Sequence, residues 1–505
     1  MEPFENALPA GGSAKPVQNP AQNYEITRKE RLLLPCTLAF CVLLVNTLFT
    51  YGPTAGLTAA VFVWYALVLS FTGSRPLLAR PNRILLLADL FLALTLALGS
   101  NWYFRLWDLL ALLVLLPVHA VGLSGAPRLP WYRPMMLWER LCLLLSGLFG
   151  RLGAAFAALA DPRGEKRRWV PSLLAGAVCA LALLAVLLPI LASADALFAA
   201  ATADLQTWLQ RHLSIALWKL FWGLILTPFL FGLLYSLRHP KPLKSAAAPA
   251  LPAADALLFL LVLAVLDALY LLFLAVQSAG LFGGPDYLAQ KNISYAEWAR
   301  SGFFQMVGVT VVNLAVVMTA LSLSRRTGRS WAALRVLAAL LVGESLVLLA
   351  SAAWRMTLYV SAYGLSFKRC MTYWGMVMMA LFLLAALWKV LRPDFGFCRL
   401  AFPLALAGWL VIHCVPVDYL VAKNQVDHYL SGESAVIDTG YLLYGLSYDT
   451  LSQLERLDGS LICRSGGGYQ RLDILLAARR ADAQVECADW RTWSLSAWLA
   501  AGGGN

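Results

Sequence analysis

The sequence is poor in charge. Only 13% of its 505 residues are Asp, Glu, Lys or Arg, about half the share of an ordinary soluble domain. Histidine is scarcer still, at five residues. No set of His, Cys, Asp or Glu has the spacing of a metal site. Gly-rich phosphate loops and nucleophile elbows are missing too. These gaps argue against the familiar motif-bearing enzymes and imply no cofactor and no metal. A membrane-embedded transferase is disfavoured for a related reason, because its loops would need Asp-rich diphosphate or metal sites. The N-terminus also lacks a small-residue cleavage site. Its polar stretch ends in Arg28-Lys29-Glu30-Arg31 before the first apolar run, the pattern of an uncleaved signal anchor.

What fills the sequence is apolar, at 60% of residues. These residues come in blocks of about 20, the length of a helix that crosses the hydrocarbon core. The predicted fold is an all-α, polytopic membrane helix bundle. The net charge of +12 fits basic cytoplasmic loops better than a nucleic-acid site. Of nine cysteines, Cys36, Cys41, Cys179 and Cys414 fall inside apolar runs.

Residues 1–31 read as a disordered cytoplasmic tail, 32–421 as the bundle and 422–505 as an extracytoplasmic helical tail. Eleven spans are predicted, at about 32–50, 54–72, 83–100, 104–122, 169–192, 216–236, 255–279, 302–323, 331–353, 372–391 and 400–421. Residues 131–160 mix Trp, Arg and Leu at helical spacing and read as a helix lying in the cytoplasmic interface. Residues 193–215 read as an extracytoplasmic amphipathic helix. With the N-terminus inside, the inner pieces hold 25 of the 40 Lys and Arg, against 8 in the outer loops. That bias sets the orientation and leaves the C-terminus outside.

In the tail, Asp438 is placed to cap a helix that carries Leu443, Leu446, Leu454 and Leu457 on one stripe. Trp490, Trp493 and Trp498 follow at helical spacing. Cys463 and Cys487 lie outside the bilayer on this topology, where a disulfide is permitted.

Ionisable groups inside apolar runs are costly and need a reason. Asp267, Asn313, Glu344 and His413 fall at similar predicted depths in four spans. They read either as a proton or cation pathway or as hydrogen-bonding groups that hold helices together. Glu344 and Arg355 are about three helical turns apart, and Tyr359 and Tyr363 continue that stripe. Glu297 and Arg300 stand at the entrance to the eighth span. Together these groups outline an outward-facing vestibule; the plainer reading is a set of interfacial anchors. Asp89, Asp108 and His119 are further intramembrane polar groups, with Arg105 near enough in sequence to pair with Asp108. Asn292-Ile293-Ser294 matches a glycosylation sequon.

Two motifs carry a resemblance. Tyr295, Ala296, Arg300, Gly302, Phe303 and Phe304 form one; Arg355, Met356, Tyr359, Tyr363, Gly364 and Leu365 form the other. With the tail pattern NQVDHYL and YLLYGLSYD, they make the chain resemble a bacterial membrane-protein family catalogued as domain of unknown function 4173, related to number 4153. The chain departs from that pattern at Ser366 and at Thr450-Leu451-Ser452. The resemblance implies a bacterial plasma-membrane protein and no activity. The expectation is a permease-like or ion-coupled protein contacting the bilayer and a small solute or ion. The alternative is a sensor or envelope-assembly protein whose tail binds another protein.

Overall fold

The computed structural model describes residues 24–133, 135–159, 214–240, 255–281, 303–465 and 468–503, with isolated positions between 187 and 204. Glu297, Arg300, Cys179, the sequon at 292–294, most of the predicted span 169–192 and most of 193–215 lie outside the described residues.

The apolar runs fold as long helices. The first is α1, Arg28–Asn46, extended by one wide turn at Thr47–Tyr51. It is followed by α2 (Ala55–Thr72), α3 (Arg80–Leu98) and α4 (Trp102–Leu123). Two shorter helices, α5 (Met135–Gly150) and α6 (Gly153–Leu159), precede α7 (Ser214–Arg238). Next are α8 (Ala256–Leu281), α9 (Phe303–Leu323), α10 (Gly328–Tyr363), α11 (Phe367–Leu391) and α12 (Phe397–Ile412). Eight described helices are long and apolar enough to cross a membrane, or up to ten if each of two bent pairs counts as one span. Many large apolar side chains face outward, including Leu261, Val265 and Leu272 on α8, as lipid-facing positions should.

The helices pack as two sub-bundles with separate apolar cores. The first joins α1 to α7 around Trp64, Leu92, Leu112, Phe231 and Leu234. The second joins α8, α9, α10 and α11 around Leu263, Leu321, Leu341 and Leu383. Helix α12 bridges them, because its Trp409 packs on the first core while the helix lies beside α11.

The bundle has two distinct ends. At one end Thr27 and Glu30 form a capping box at the start of α1. The Glu30 carboxylate there also meets Arg238 Nε at 3.1 Å and His239 Nε2 at 2.8 Å, tying α1 to the end of α7. Helices α5 and α6 stay at this same end. Arg140 donates to the Val118 carbonyl near the end of α4 at 3.1 Å. A Cβ on Gly147 would meet Ser236 Oγ at 2.5 Å, and one on Gly153 would meet the Tyr24 ring at 2.8 Å. Glycine is thus what lets α5 press against α7. The pair bends by 43° between α5 and α6, and these contacts fall in the last turns of α4 and α7.

The tail folds over the other end. It begins with α13 (Val417–Leu430), bent by 51° from α12. Irregular turns and the short α14 (Leu451–Leu454) follow. An antiparallel hairpin of β1 (Ile462–Ser465) and β2 (Gly468–Arg471) then leads to α15 (Leu472–Ala488) and α16 (Leu495–Ala500). This unit has its own core, which includes Val421, Leu443, Leu446, Leu454, Leu457 and Leu472.

It is docked by polar contacts to three inter-helix loops. Thr54 Oγ1 donates to the Arg491 carbonyl at 2.7 Å. Asn101 Nδ2 donates to both oxygens of Asp418, at 3.0 and 2.7 Å. The Leu365 amide donates to Asn424 Oδ1 at 2.6 Å, and Gln425 donates to the Leu365 carbonyl at 2.6 Å. Gly364 makes that grip possible. Its φ is +70°, and a Cβ there would meet the Gln425 amide nitrogen at 3.0 Å.

Four expectations change. The predicted span 400–421 is broken after Ile412, so His413 sits at a helix end and not at mid-depth. Pro416 explains the break, because the residue before a proline is pushed out of helical geometry. The tail is not purely helical. Asp438 does accept from the Tyr441 amide at 2.9 Å, yet only one wide turn, Tyr441–Gly445, follows it. Trp490 and Trp493 precede α16, so the three tryptophans do not share one helix. Arg105 does not pair with Asp108; it meets Glu486 of the tail at 3.5 Å.

Candidate functional site

The second sub-bundle holds the densest cluster of unmatched polar groups. Asp267 and Tyr270 lie one turn apart on α8, Asn313 on α9, and Glu344 and Ser345 on α10. Counting at 1.5 Å per residue puts Asp267 about 16 Å from the start of α8, near mid-depth. Tyr270 donates to Asn313 Oδ1 at 3.0 Å. Asn313 Nδ2 donates to Ser345 Oγ at 2.9 Å, and Ser345 in turn donates to the Leu341 carbonyl at 2.8 Å. The three helices are therefore stitched by one chain of hydrogen bonds.

Beside that chain stand two bare carboxyl groups. Asp267 is 3% exposed and Glu344 is 4% exposed. All four of their oxygens lack a hydrogen-bond partner among the described residues. The two groups are near enough to interact electrostatically, and Tyr270 lies within the field of Glu344. A carboxyl group in such surroundings is stable only while it carries a proton or a cation.

Helix α10 continues well beyond Glu344, as the stripe requires. Its 36 residues make a rod of about 54 Å. Leu348 and Ser351 are buried on the face that holds Glu344. Arg355 and Tyr359 are half-buried, and Tyr363 is exposed. The Tyr359 and Tyr363 rings meet edge-on at 5.2 Å. The cation over the Tyr359 ring is Arg369, at 4.1 Å from its centre. Arg369 also donates to the Tyr363 carbonyl at 2.9 Å. The column from Glu344 to Tyr363 therefore ends where Asn424 and Gln425 of the tail hold the next turn.

His413 does not join this cluster. It belongs with Asp108 of α4 at the seam between the sub-bundles. His413 Nε2 lies 2.9 Å from one oxygen of Asp108, which also accepts from Thr95 Oγ1 at 2.9 Å. The other oxygen accepts from Trp409 Nε1 at 2.9 Å. His413 Nδ1 meets the Trp409 carbonyl at 2.7 Å. A third cluster lies in the first sub-bundle, where the Tyr65 hydroxyl donates to Asp89 and lies 2.7 Å from His119 Nδ1. Asp89 and His119 are fully buried.

Of the four residues expected at one depth, the structure brings together Asp267, Asn313 and Glu344 and separates His413. Tyr270, Ser345, Thr95 and Trp409 belong to these clusters without having stood out in the sequence. Tyr270 alone had a local signal, since it lies one turn from Asp267. In the tail, Cys463 and Cys487 are free thiols, with Cys463 buried in the tail core. No group of three metal-ligating side chains occurs among the described residues.

A family model described as a domain of unknown function, DUF4153, matches residues 86–457. It is the relative of family 4173, the one that the motifs resemble. No curated protein and no solved structure matches the chain.

Proposed function

The chain belongs to the DUF4153 family, and we propose that it moves a solute or ion across the membrane, with Asp267 and Glu344 binding and releasing a proton or small cation. The observation that supports this reading is the pair of buried carboxyl groups with four unpartnered oxygens at mid-depth. Groups placed only to hold helices together would have partners, as Asn313 and Ser345 do. Arg355, Tyr359 and Tyr363 form the approach from the tail end; Glu297 and Arg300, outside the described residues, are assigned to the same vestibule from their place in the sequence alone. On this reading the protein is not an enzyme, and its partners are the bilayer and a small solute or ion.

The charge bias orients the protein. Every described loop counted as inner lies at the Glu30 end, and the three loops gripped by the tail lie at the opposite end. The basic end is then cytoplasmic and the tail extracytoplasmic, in a bacterial plasma membrane.

Proteoliposomes carrying an internal pH dye test the proposal. Wild-type protein should collapse an imposed pH gradient faster than empty vesicles. Glu344→Gln and Asp267→Asn should each slow that collapse at least ten-fold while keeping a monodisperse, folded protein. Variants that conduct as well as wild type would remove the carboxyl pair from the mechanism. A second reading is favoured by the tail itself, whose separate core leaves Tyr469, Val485 and Trp490 exposed. If deleting the tail removes a cellular phenotype that Glu344→Gln spares, the protein acts through a partner and not through transport.

A further inference from the structure

The basic end of the first sub-bundle contains a cavity of about 690 Å³ that plays no part in the carboxyl cluster. It is walled by the first turn of α1, the ends of α2, α4 and α7, and the loop into α3. Its polar lining includes Lys29, Thr72, Asn82, Ser124 and Arg238, with no carboxylate among the described residues that line it. Glu30 lies beside it and is already engaged by Thr27, His239 and Arg238 Nε.

Among the described residues Lys29 has no hydrogen bond or ion pair, and Arg238 has its ion pair with Glu30 alone. Helices α2, α4 and α7 end here, and a cation near a helix C-terminus ordinarily offsets the carbonyl dipoles there. Three other cations at the basic end do so directly. Arg151 donates to the His239 carbonyl at 3.2 Å, Arg335 to the Val390 carbonyl at 2.8 Å, and Lys389 to the Phe395 carbonyl at 2.5 Å. Lys29 and Arg238 make no such bond and border open volume instead.

We infer that this cavity binds a phosphate-bearing anion. Arg238, paired with Glu30, lines the cavity with a guanidinium, the group whose paired donors recognise a phosphate, and Lys29 supplies a second charge. Phe71, Leu123 and Leu237 add apolar wall, which suits a ligand held at the membrane boundary. The same chemistry is offered by the headgroup of an anionic lipid and by free phosphate.

The test uses the full chain in nanodiscs, with the unfolding midpoint as readout, since a ligand that binds only the folded state raises it saturably. One arm titrates inorganic phosphate into discs of zwitterionic lipid. The other raises the fraction of phosphatidylglycerol without phosphate. A saturable rise in either arm is expected, and the arm that responds identifies the source. Arg238→Ala would also break the Glu30 pair, so the variants are Lys29→Gln and Asn82→Asp, which leave that pair intact. At least one should weaken the response ten-fold or more. No saturable rise in either arm, or a wild-type response from both variants, overturns the assignment.

Discussion

Asp108 and the Asp267–Glu344 pair are carboxyl groups buried to the same degree, and their surroundings are opposite. Asp108 is 1% exposed and is bonded by Thr95, Trp409 and His413, three side chains from two other elements. Asp267 and Glu344 accept nothing from the described residues. In a low-dielectric interior a carboxylate with three donors is a fastener, and removing it strands those donors. A carboxyl group with none adds nothing to stability, so its presence calls for another explanation. The contrast separates a seam that holds two sub-bundles together from a site able to exchange charge.

The sharpest way to break this comparison is Asp108→Ala. It should cost about 3–5 kcal/mol, the usual penalty for removing one partner of a buried charged cluster, read as a fall in unfolding free energy in detergent. Next is Asn101→Ala. It removes both bonds to Asp418 and the cap on α4, and should cost about 1–3 kcal/mol, seen as faster proteolysis of the tail. Asn313→Ala cuts the chain linking α8, α9 and α10, and should cost about 0.6–1.7 kcal/mol, the range for hydrogen bonds between membrane helices. Glu344→Gln and Asp267→Asn should leave stability within about 0.5 kcal/mol of wild type, because no donor is stranded. If either costs as much as Asp108→Ala, the distinction between fastener and exchange site collapses.

The smallest effect concerns pH. Arg491 bonds to the Asp489 carboxyl and holds it down to about 2. A depressed carboxyl contributes its stability above the unfolded value of about 3.9 and loses it as pH falls toward its folded value. Tail docking through this pair should therefore persist from neutral pH down to about 4 and weaken only below that, followed by amide exchange at Gly56.

Much of the bundle was legible because its signal is local. Runs of about 20 apolar residues set the helices, and the Lys and Arg bias matched the loops that share one end. The depth match of Asp267, Asn313 and Glu344 was also readable, since each lies within a single unbroken run. His413 was misplaced because the apolar run continues through Pro416, and hydropathy outweighed the proline. Its partner Asp108 is 305 residues away, and no local pattern encodes such a pairing. The tail hairpin escaped notice because Ile462–Ser465 is too short to show alternation, although the run Gly466-Gly467-Gly468 is a turn signal in the sequence. The open cavity beside Lys29 is a property of five converging elements and has no signature in any one of them.

The contact of Arg491 with the first loop bears on how the protein is made. The Arg491 carbonyl accepts from Thr54 Oγ1 at 2.7 Å and from the Gly56 amide at 2.9 Å. The opening turn of α2 thus waits for a partner synthesised 437 residues later. At ordinary translation rates of about 5–20 residues per second, that delay is roughly 20–90 s. For that interval the Gly56 amide and the Thr54 hydroxyl are without the Arg491 carbonyl, and the start of α2 gains these two bonds only when the tail docks.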